Sequence, residues 1–330
     1  MRTPLCDLFG IDVPIVQAPI GSASVPALAA AVSEAGALGT IALSWTKPAD
    51  VAALVNGVRA RTDKPFHANI LLEWPPDQRL DAVLEAGAKI VSLTWGDPSA
   101  HVESVHAAGA LLVAAAGTAE EAKRYADAGV DAICAQGWEA GGHVGGNVTT
   151  MALVPAVVDA VAPVPVLAAG GIVDGRGIAA ALALGAQGAW IGTRFLLAEE
   201  APLHPVYRDN LLRARAEDAE WAADLFDVGW ENAPHRALRN STRARWEQAG
   251  SPPPGSRPGE GESVATRGDG APIARYSSAM PVASITGDIE ALSMWSGQGI
   301  GLLDHVQPAA EIVRELAEET EAVLGRLSAR

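Results

Sequence analysis

A phrase that ends in glycine recurs through the first 200 residues and divides this part of the chain into similar units. In each copy a helix-like run rich in alanine ends at the glycine, and an apolar run begins one or two residues later. Glycine just past a helix end can take the left-handed conformation that closes the helix. The five copies are residues 34–38, 85–89, 107–111, 127–131 and 183–187. Regular alternation of helices and short apolar strands predicts a parallel sheet.

Eight apolar runs are predicted to be the strands of that sheet. They are residues 14–19, 38–43, 66–70, 89–93, 111–115, 132–135, 165–169 and 188–191. Helices are predicted between them at 25–35, 49–61, 78–86, 99–107, 119–128, 149–161 and 175–184. Eight units in so short a stretch favour a closed (β/α)8 TIM barrel of the α/β class. An open doubly wound sheet is the alternative.

The pattern changes after Phe195, so we predict three regions. Residues 1–198 form the barrel domain. Residues 199–295 form a smaller, mostly helical cap, whose segment 250–270 is rich in proline and glycine and is predicted to be a loop or disordered. Residues 296–330 end in an amphipathic helix at 309–327, which we expect to pack back on the barrel.

Composition excludes several classes of partner. The net charge of −15 disfavours nucleic acid and anionic membrane surfaces, because both require a basic patch. No apolar run reaches the ~18 residues of a membrane helix. The two cysteines have no metal-ligand spacing, and no carboxylate or histidine cluster indicates a metal site. We therefore expect a cytoplasmic protein that binds a small molecule, without a metal, a nucleic-acid partner or a membrane partner.

The loop at residues 135–146 follows the sixth predicted strand and holds five glycines and His143. Glycines let the backbone come close to a ligand, and a histidine exchanges protons near neutral pH. Active sites of (β/α)8 barrels form from the loops at the carboxyl ends of the strands. We therefore expect His143 to be catalytic, as a general base or as a cation that attracts an anion. The alternative is a flexible connection with a surface histidine.

Two more glycine turns follow the last two predicted strands. One contains Gly170 and Gly171, and the other contains Gly192 and Thr193. Loops after strands 7 and 8 of such barrels often bind a phosphate through backbone N–H groups. The pair of turns therefore predicts a phosphate-bearing cofactor at the barrel mouth. The alternative is that the glycines only make tight turns.

Three amide side chains lie at strand ends around the same mouth: Gln17, Asn69 and Gln136. An amide can donate to a carbonyl oxygen and accept from a ring N–H, which suits the edge of a flavin or a purine. Tryptophans also gather at strand ends, where they predict a roomy, apolar substrate pocket. They are Trp45, Trp74, Trp95, Trp138 and Trp190. Packing under the loops is the alternative for each ring.

These stretches together resemble the nitronate monooxygenase (2-nitropropane dioxygenase-like) family. The resemblance is carried by residues 17–20, Asn69, 136–143, 169–172 and 188–195. It implies a TIM barrel that binds FMN, with His143 beside the flavin ring. Trp45, Trp74, Trp95 and Trp138 are expected around the substrate because of their position at strand ends, and this tryptophan-lined mouth is a departure from the family. The expected FMN-binding residues are Gln17, Ala18, Pro19, Asn69, Gln136, Gly141, Gly142, Gly170, Gly171, Trp190, Ile191, Gly192 and Thr193.

The reaction implied by the resemblance is FMN-dependent oxidation of an alkyl nitronate by O2 to a carbonyl compound and nitrite. The expected substrate is a small molecule with an apolar or bulky group, and the chain is compatible with a homodimer. Val144 departs from the basic residue that often follows the histidine in this family. One alternative is an NAD(P)H-dependent FMN reductase of the enoyl-ACP or quinone type. Another is a barrel that binds a phosphorylated metabolite without redox chemistry.

Overall fold

A computed structural model describes residues 1–329, except for the side chain at position 77, and shows a (β/α)8 barrel. All eight barrel strands are parallel neighbours in one sheet. Its two edge strands meet through hydrogen bonds on either side of Leu38, from Gln17 N to Leu38 O and from Leu38 N to Ile15 O. The strands are β1 Ile15–Gln17, β2 Gly39–Ala42, β3 Phe66–Leu71, β4 Ile90–Thr94, β5 Leu111–Ala116, β6 Ala132–Gln136, β7 Val166–Ala169 and β8 Gly188–Ile191. The predicted fold class is confirmed.

Helices cover the outside of the barrel. They are Pro26–Glu34, Pro48–Arg59, Asp77–Glu85, Val102–Ala107, Ala119–Asp127, Thr150–Val161 and Gly175–Ala183, with a short helix Thr193–Leu196 after β8. The glycine of each recurring phrase has a positive φ, from 67° at Gly109 to 99° at Gly129. The repeat therefore marks helix ends, as the sequence predicts.

The two ends of the chain complete the barrel. The helix Pro4–Phe9 buries Leu5, Cys6 and Phe9 against residues of the strands, including Val16 and Ile90. The last helix, Ala309–Ser328, packs against both Gly175–Ala183 and Pro26–Glu34. It therefore occupies the place of the eighth helix, which the short Thr193–Leu196 is too small to fill. None of the helices within residues 1–329 is both long and apolar enough to pass through a bilayer.

The cap is a mixture of helices and small sheets, so the expectation of a mostly helical region is wrong. Its two helices are Pro205–Arg213 and Ser241–Gln248. One three-stranded sheet joins Ala219–Ala222, His235–Leu238 and Gly142–His143, and the other joins Pro272–Ala274, Ser263–Thr266 and Thr286–Gly287. The tryptophan-rich stretch after residue 219 has no helical spacing of its apolar residues. It supplies the strand His235–Leu238, which pairs with the glycine loop of the barrel.

The segment 250–270 contains regular structure and a buried charge. Its end forms the strand Ser263–Thr266. Arg257 is 5% exposed and pairs with Asp227 at 2.6 Å and with Glu260. The Arg257 guanidinium also lies 4.4 Å from the centre of the Tyr276 ring. These contacts anchor the segment to the rest of the cap.

Candidate active site

A cavity of about 730 Å³ lies at the carboxyl ends of the barrel strands, between the barrel and the cap. Fourteen of the residues predicted from the sequence line it: Ala18, Pro19, Trp45, Asn69, Trp95, Gln136, Gly141, Gly142, His143, Gly170, Gly171, Trp190, Gly192 and Thr193. The structure therefore brings both glycine turns, two of the three amides and His143 to one space.

Gln17 and Ile191 do not line the cavity, which corrects their expected role as cofactor contacts. Gln17 is fully buried, and its amide exchanges two hydrogen bonds of 3.1 Å with the backbone of Thr40. Its Nε2 also donates to Ser24 Oγ. These bonds join β1 to β2, so the amide has a structural role. Ile191 is 1% exposed and belongs to the barrel core.

Trp74 and Trp138 also lie outside the cavity lining, which corrects their placement in the substrate pocket. Trp74 packs behind the pocket, with its ring centre 5.2 Å from that of Trp230 and 5.9 Å from that of Trp45. Trp138 faces the cap surface, where the Arg236 guanidinium lies 4.9 Å from its ring centre and Trp221 packs beside it. A position near a strand end therefore did not predict correctly whether these two rings line the cavity.

One end of the cavity, here called the glycine end, is formed by Gly170, Gly171, Gly192, Thr193 and Gly297. The backbone is exposed to the cavity here because side chains are absent. Gly170 and Gly171 have φ values of 108° and 72°, which favour glycine. Thr193 Oγ1 accepts a hydrogen bond from Gly297 N at 3.0 Å, which leaves its hydroxyl hydrogen free to donate. This surface suits an anionic group such as a phosphate.

Gly141 shows why the loop after β6 needs glycine. A Cβ atom added there would lie 2.3 Å from both Gly297 N and Ser296 C. The loop therefore touches the segment 296–297, and these backbone atoms leave no room for a side chain. The close contact fixes the loop against the glycine end.

Asn69 and Gln136 keep an acceptor oxygen available at the cavity. The Asn69 amide nitrogen donates to Ser92 Oγ at 2.7 Å and to Thr94 Oγ1 at 3.2 Å. The Gln136 amide nitrogen donates to the carbonyl oxygen of His143 at 3.1 Å. These bonds orient each amide so that its oxygen is left to accept from a ring N–H of a ligand.

A second part of the cavity lining, here called the aromatic wall, consists of Trp95, His143, Trp230 and Trp295. The His143 ring stacks on Trp230 with their centres 3.8 Å apart and their planes at 28°. The Trp295 ring centre lies 4.9 Å from that of His143, and the Trp95 ring contacts it edge-on at 5.8 Å. His143 Nε2 is buried and has no hydrogen-bond partner within residues 1–329.

Burial in this wall lowers the pKa of His143 to about 3, with a smaller contribution from His235 nearby. The imidazole is therefore neutral at physiological pH, because the apolar rings cannot solvate its cation. Of the two roles expected from the sequence, the geometry disfavours a cation that attracts an anion. A neutral ring can still accept a proton or donate a hydrogen bond.

The cap holds His143 in place. Gly142–His143 pairs antiparallel with His235–Leu238, and Val144 N donates to Pro234 O at 2.8 Å. Val144 is 1% exposed, so an apolar residue suits this position.

Sequence reasoning missed the contribution of the cap to the cavity. Trp230, Trp295, Met280 and Arg267 all line it. None of them follows a barrel strand, and they reach the mouth only through the folding of the cap. The high tryptophan content of residues 221–295 was the available signal, but it did not show which rings face inward.

Comparison with known proteins assigns the chain to a family. A family model described as nitronate monooxygenase matches residues 2–76 and 73–319. The chain is 41% identical to a putative monooxygenase, Rv1533, of Mycobacterium tuberculosis over 75% of its own length, but it spans only 63% of that relative. It is 34% identical to a nitronate monooxygenase of Pseudomonas aeruginosa, over 94% of this chain and 97% of the relative.

Two solved structures share the fold over nearly the whole chain. FabK from Thermotoga maritima superposes with a TM-score of 0.82 at 30% identity, covering 100% of this chain and 99% of FabK. Nitroalkane oxidase from Streptomyces ansochromogenes superposes with a TM-score of 0.78 at 28% identity, covering 98% and 100%. Together with the match of the family model, these similarities show that the chain belongs to the nitronate monooxygenase family of flavin-dependent oxidoreductases.

Proposed function

We propose that this protein uses FMN to oxidise alkyl nitronates, or related substrates with an acidic C–H bond, with O2 as the electron acceptor. The products are a carbonyl compound and nitrite. The observation that carries the proposal is the joint placement of a phosphate-type glycine end and a neutral His143 in one cavity. Family membership supports flavin-dependent oxidation of nitronates in general.

The residues of the cavity fit FMN. The glycine end offers backbone N–H groups and the Thr193 hydroxyl to a phosphate. The free oxygens of Asn69 and Gln136 suit the ring N–H of an isoalloxazine. Bound FMN supplies the redox chemistry.

In this proposal, His143 binds or deprotonates the part of the substrate that carries the nitro or nitronate group. As a neutral ring, it donates a hydrogen bond to an oxygen of a nitronate. With a neutral nitroalkane it takes the proton from the carbon, and the nitronate anion formed beside the ring offsets the cost of the buried imidazolium. Trp95, Trp230 and Trp295 exclude water around it and receive the alkyl part of the substrate. Exclusion of water strengthens each hydrogen bond to the charged group.

The alternative is a nicotinamide-dependent FMN reductase, which the similarity to FabK supports only loosely. The charge around the cavity disfavours large acidic carriers such as an acyl carrier protein. Arg267 is the one arginine or lysine among the described lining residues, and Glu121 and Asp269 line the same cavity. A carrier rich in acidic groups needs a more basic rim.

The test is the absorbance of the purified holoprotein under anaerobic conditions. Addition of a nitronate alone should bleach the flavin band, and readmission of O2 should restore it. Bleaching by NADPH alone, with no response to the nitronate, would establish the reductase alternative. A purified protein without a flavin band that also fails to bind added FMN would contradict both functions and favour a metabolite-binding barrel.

A further inference from the structure

Two buried polar atoms without hydrogen-bond partners lie in adjacent rings of the aromatic wall. They are His143 Nε2 and Trp230 Nε1, neither of which finds a partner within the part of the chain that the structure describes. Trp230 is 4% exposed, and its ring stacks on that of His143 with 3.8 Å between the centres. Both residues line the cavity.

Residues of both the barrel loops and the cap pack around the indole of Trp230. Trp74 and Trp95 each pack with a ring centre 5.2 Å from that of Trp230. The Trp230 backbone N–H donates to Asp227 O at 2.8 Å, and Asp227 is paired with Arg257. The ring is therefore held by several contacts, yet its only polar group is not used by any of them.

An unpaired donor in such a place is costly. A buried polar group without a partner destabilises the protein by about 1–3 kcal/mol. Most buried polar groups of native proteins are paired, and an unpaired one needs an explanation such as a catalytic role or a bound group. Of the unpaired buried side-chain atoms within residues 1–329, only these two belong to residues that line the cavity. Two exceptions in stacked rings at a cavity wall therefore point to a ligand with two neighbouring acceptor atoms.

We propose that the Trp230 indole N–H binds one oxygen of the substrate's nitro or nitronate group while His143 Nε2 binds the other. This assignment rests on the proposed function and makes Trp230 a substrate-binding residue contributed by the cap. A planar group with two oxygens on one nitrogen carries two acceptors, one for each of the two unpaired ring nitrogens. Indole is an obligatory donor, so it favours oxygen acceptors whatever the pH.

Ligand entry requires a local rearrangement. Both nitrogens are shielded while the rings are stacked. A nitronate must therefore separate the two rings to reach them, and the gain of two hydrogen bonds to an anion offsets the lost stacking. Binding should consequently change the fluorescence of the tryptophans.

The test uses the FMN-loaded protein and butanoate, an unreactive carboxylate with the same planar pair of oxygens. Binding is followed through the change in flavin absorbance. Trp230→Phe removes the N–H and keeps an aromatic ring, and we expect it to weaken butanoate binding about 10- to 100-fold, as expected for one hydrogen bond to a charged group. Trp74→Phe is the matched control, because it disturbs the packing of Trp230 but leaves its N–H; it should change the affinity less than about threefold.

Equal affinity of Trp230→Phe and the wild-type protein would overturn the proposal, as would equal losses in the two variants. Unfolding curves of both variants exclude general destabilisation. If the Phe variant folds poorly, Trp230→His restores a ring N–H at this position. Failure of the His variant to recover any butanoate affinity would count against the hydrogen bond. A further outcome separates the two proposals: the wild-type protein does not turn over nitronates, but Trp230→Phe binds butanoate more weakly than the wild type. The proposed reaction would then be wrong while the role of Trp230 would stand.

Discussion

The glycine end and the aromatic wall line the same cavity but are built in different ways. The glycine end uses backbone groups, mostly from turns that directly follow β7 and β8. The aromatic wall uses large side chains, and two of its four rings, Trp230 and Trp295, lie beyond the barrel strands in sequence. The proposed cofactor end is thus mainly a property of the barrel, and the proposed substrate side depends on how the cap folds over the barrel.

Replacement of His143 by Ala should give the largest effect and separate the two regions. We expect kcat/KM for a nitronate to fall about 10²- to 10³-fold, as on removal of a preorganised hydrogen-bond donor. FMN content should stay unchanged, because the glycine end is untouched. The measurements are steady-state kinetics and the flavin stoichiometry of the purified variant. Unchanged turnover would show that His143 has no role in the reaction.

Gly141→Ala should instead damage the glycine end. The new Cβ would lie 2.3 Å from two backbone atoms of residues 296–297, so the loop must move. We expect a loss of about 3 kcal/mol in the free energy of unfolding and a lower flavin content. Gly142→Ala is the control: its Cβ meets nothing within 4 Å, and the positive φ of 71° costs only about 1 kcal/mol. Similar losses in both variants would mean that steric contact with 296–297 does not matter.

The barrel and its glycine end could be predicted from the sequence, whereas the part of the aromatic wall that the cap supplies could not. The helix-ending glycines and the apolar runs between them determine the barrel through local conformation, so the sequence predicted it well. The glycine end adjoins strand ends and was also found. The place of Trp230 at the cavity was not predicted. Its approach to His143 depends on a cap sheet that pairs residues almost 100 positions apart, His143 with His235. Gln17 was misassigned because an amide at a strand end serves equally well to join two strands.

The aromatic wall should also make stability depend on pH. Burial lowers the pKa of His143 to about 3 and that of His235 to about 4, and burial likewise lowers that of His67 in β3 to about 3. Below pH 6.5 these histidines bind protons in the unfolded chain but stay neutral in the folded protein. The free energy of unfolding therefore falls as the pH decreases from 6.5 towards 4. Each histidine contributes up to about 1.4 kcal/mol per pH unit.

Urea unfolding of the FMN-free protein at pH 7.5, 6.5 and 5.5 measures this dependence. His143→Gln should remove its share of the slope below pH 6.5. A slope that does not differ between the wild type and His143→Gln would show that His143 titrates normally, and the aromatic wall would then be open to water.

The smallest effect concerns the boundary of the aromatic wall. Trp95→Phe alters a ring that lines the cavity and contacts His143 edge-on, so kcat/KM should fall about 2- to 10-fold. Trp138→Phe alters a ring on the cap side, where it lies beside the Arg236 guanidinium. The smaller Phe ring weakens that contact, which should cost at most about 1 kcal/mol of stability and leave kcat/KM within about twofold of the wild type. Equal kinetic losses in the two variants would place Trp138 in contact with substrate, and the wall would then extend along the whole glycine loop instead of ending at the rings around His143.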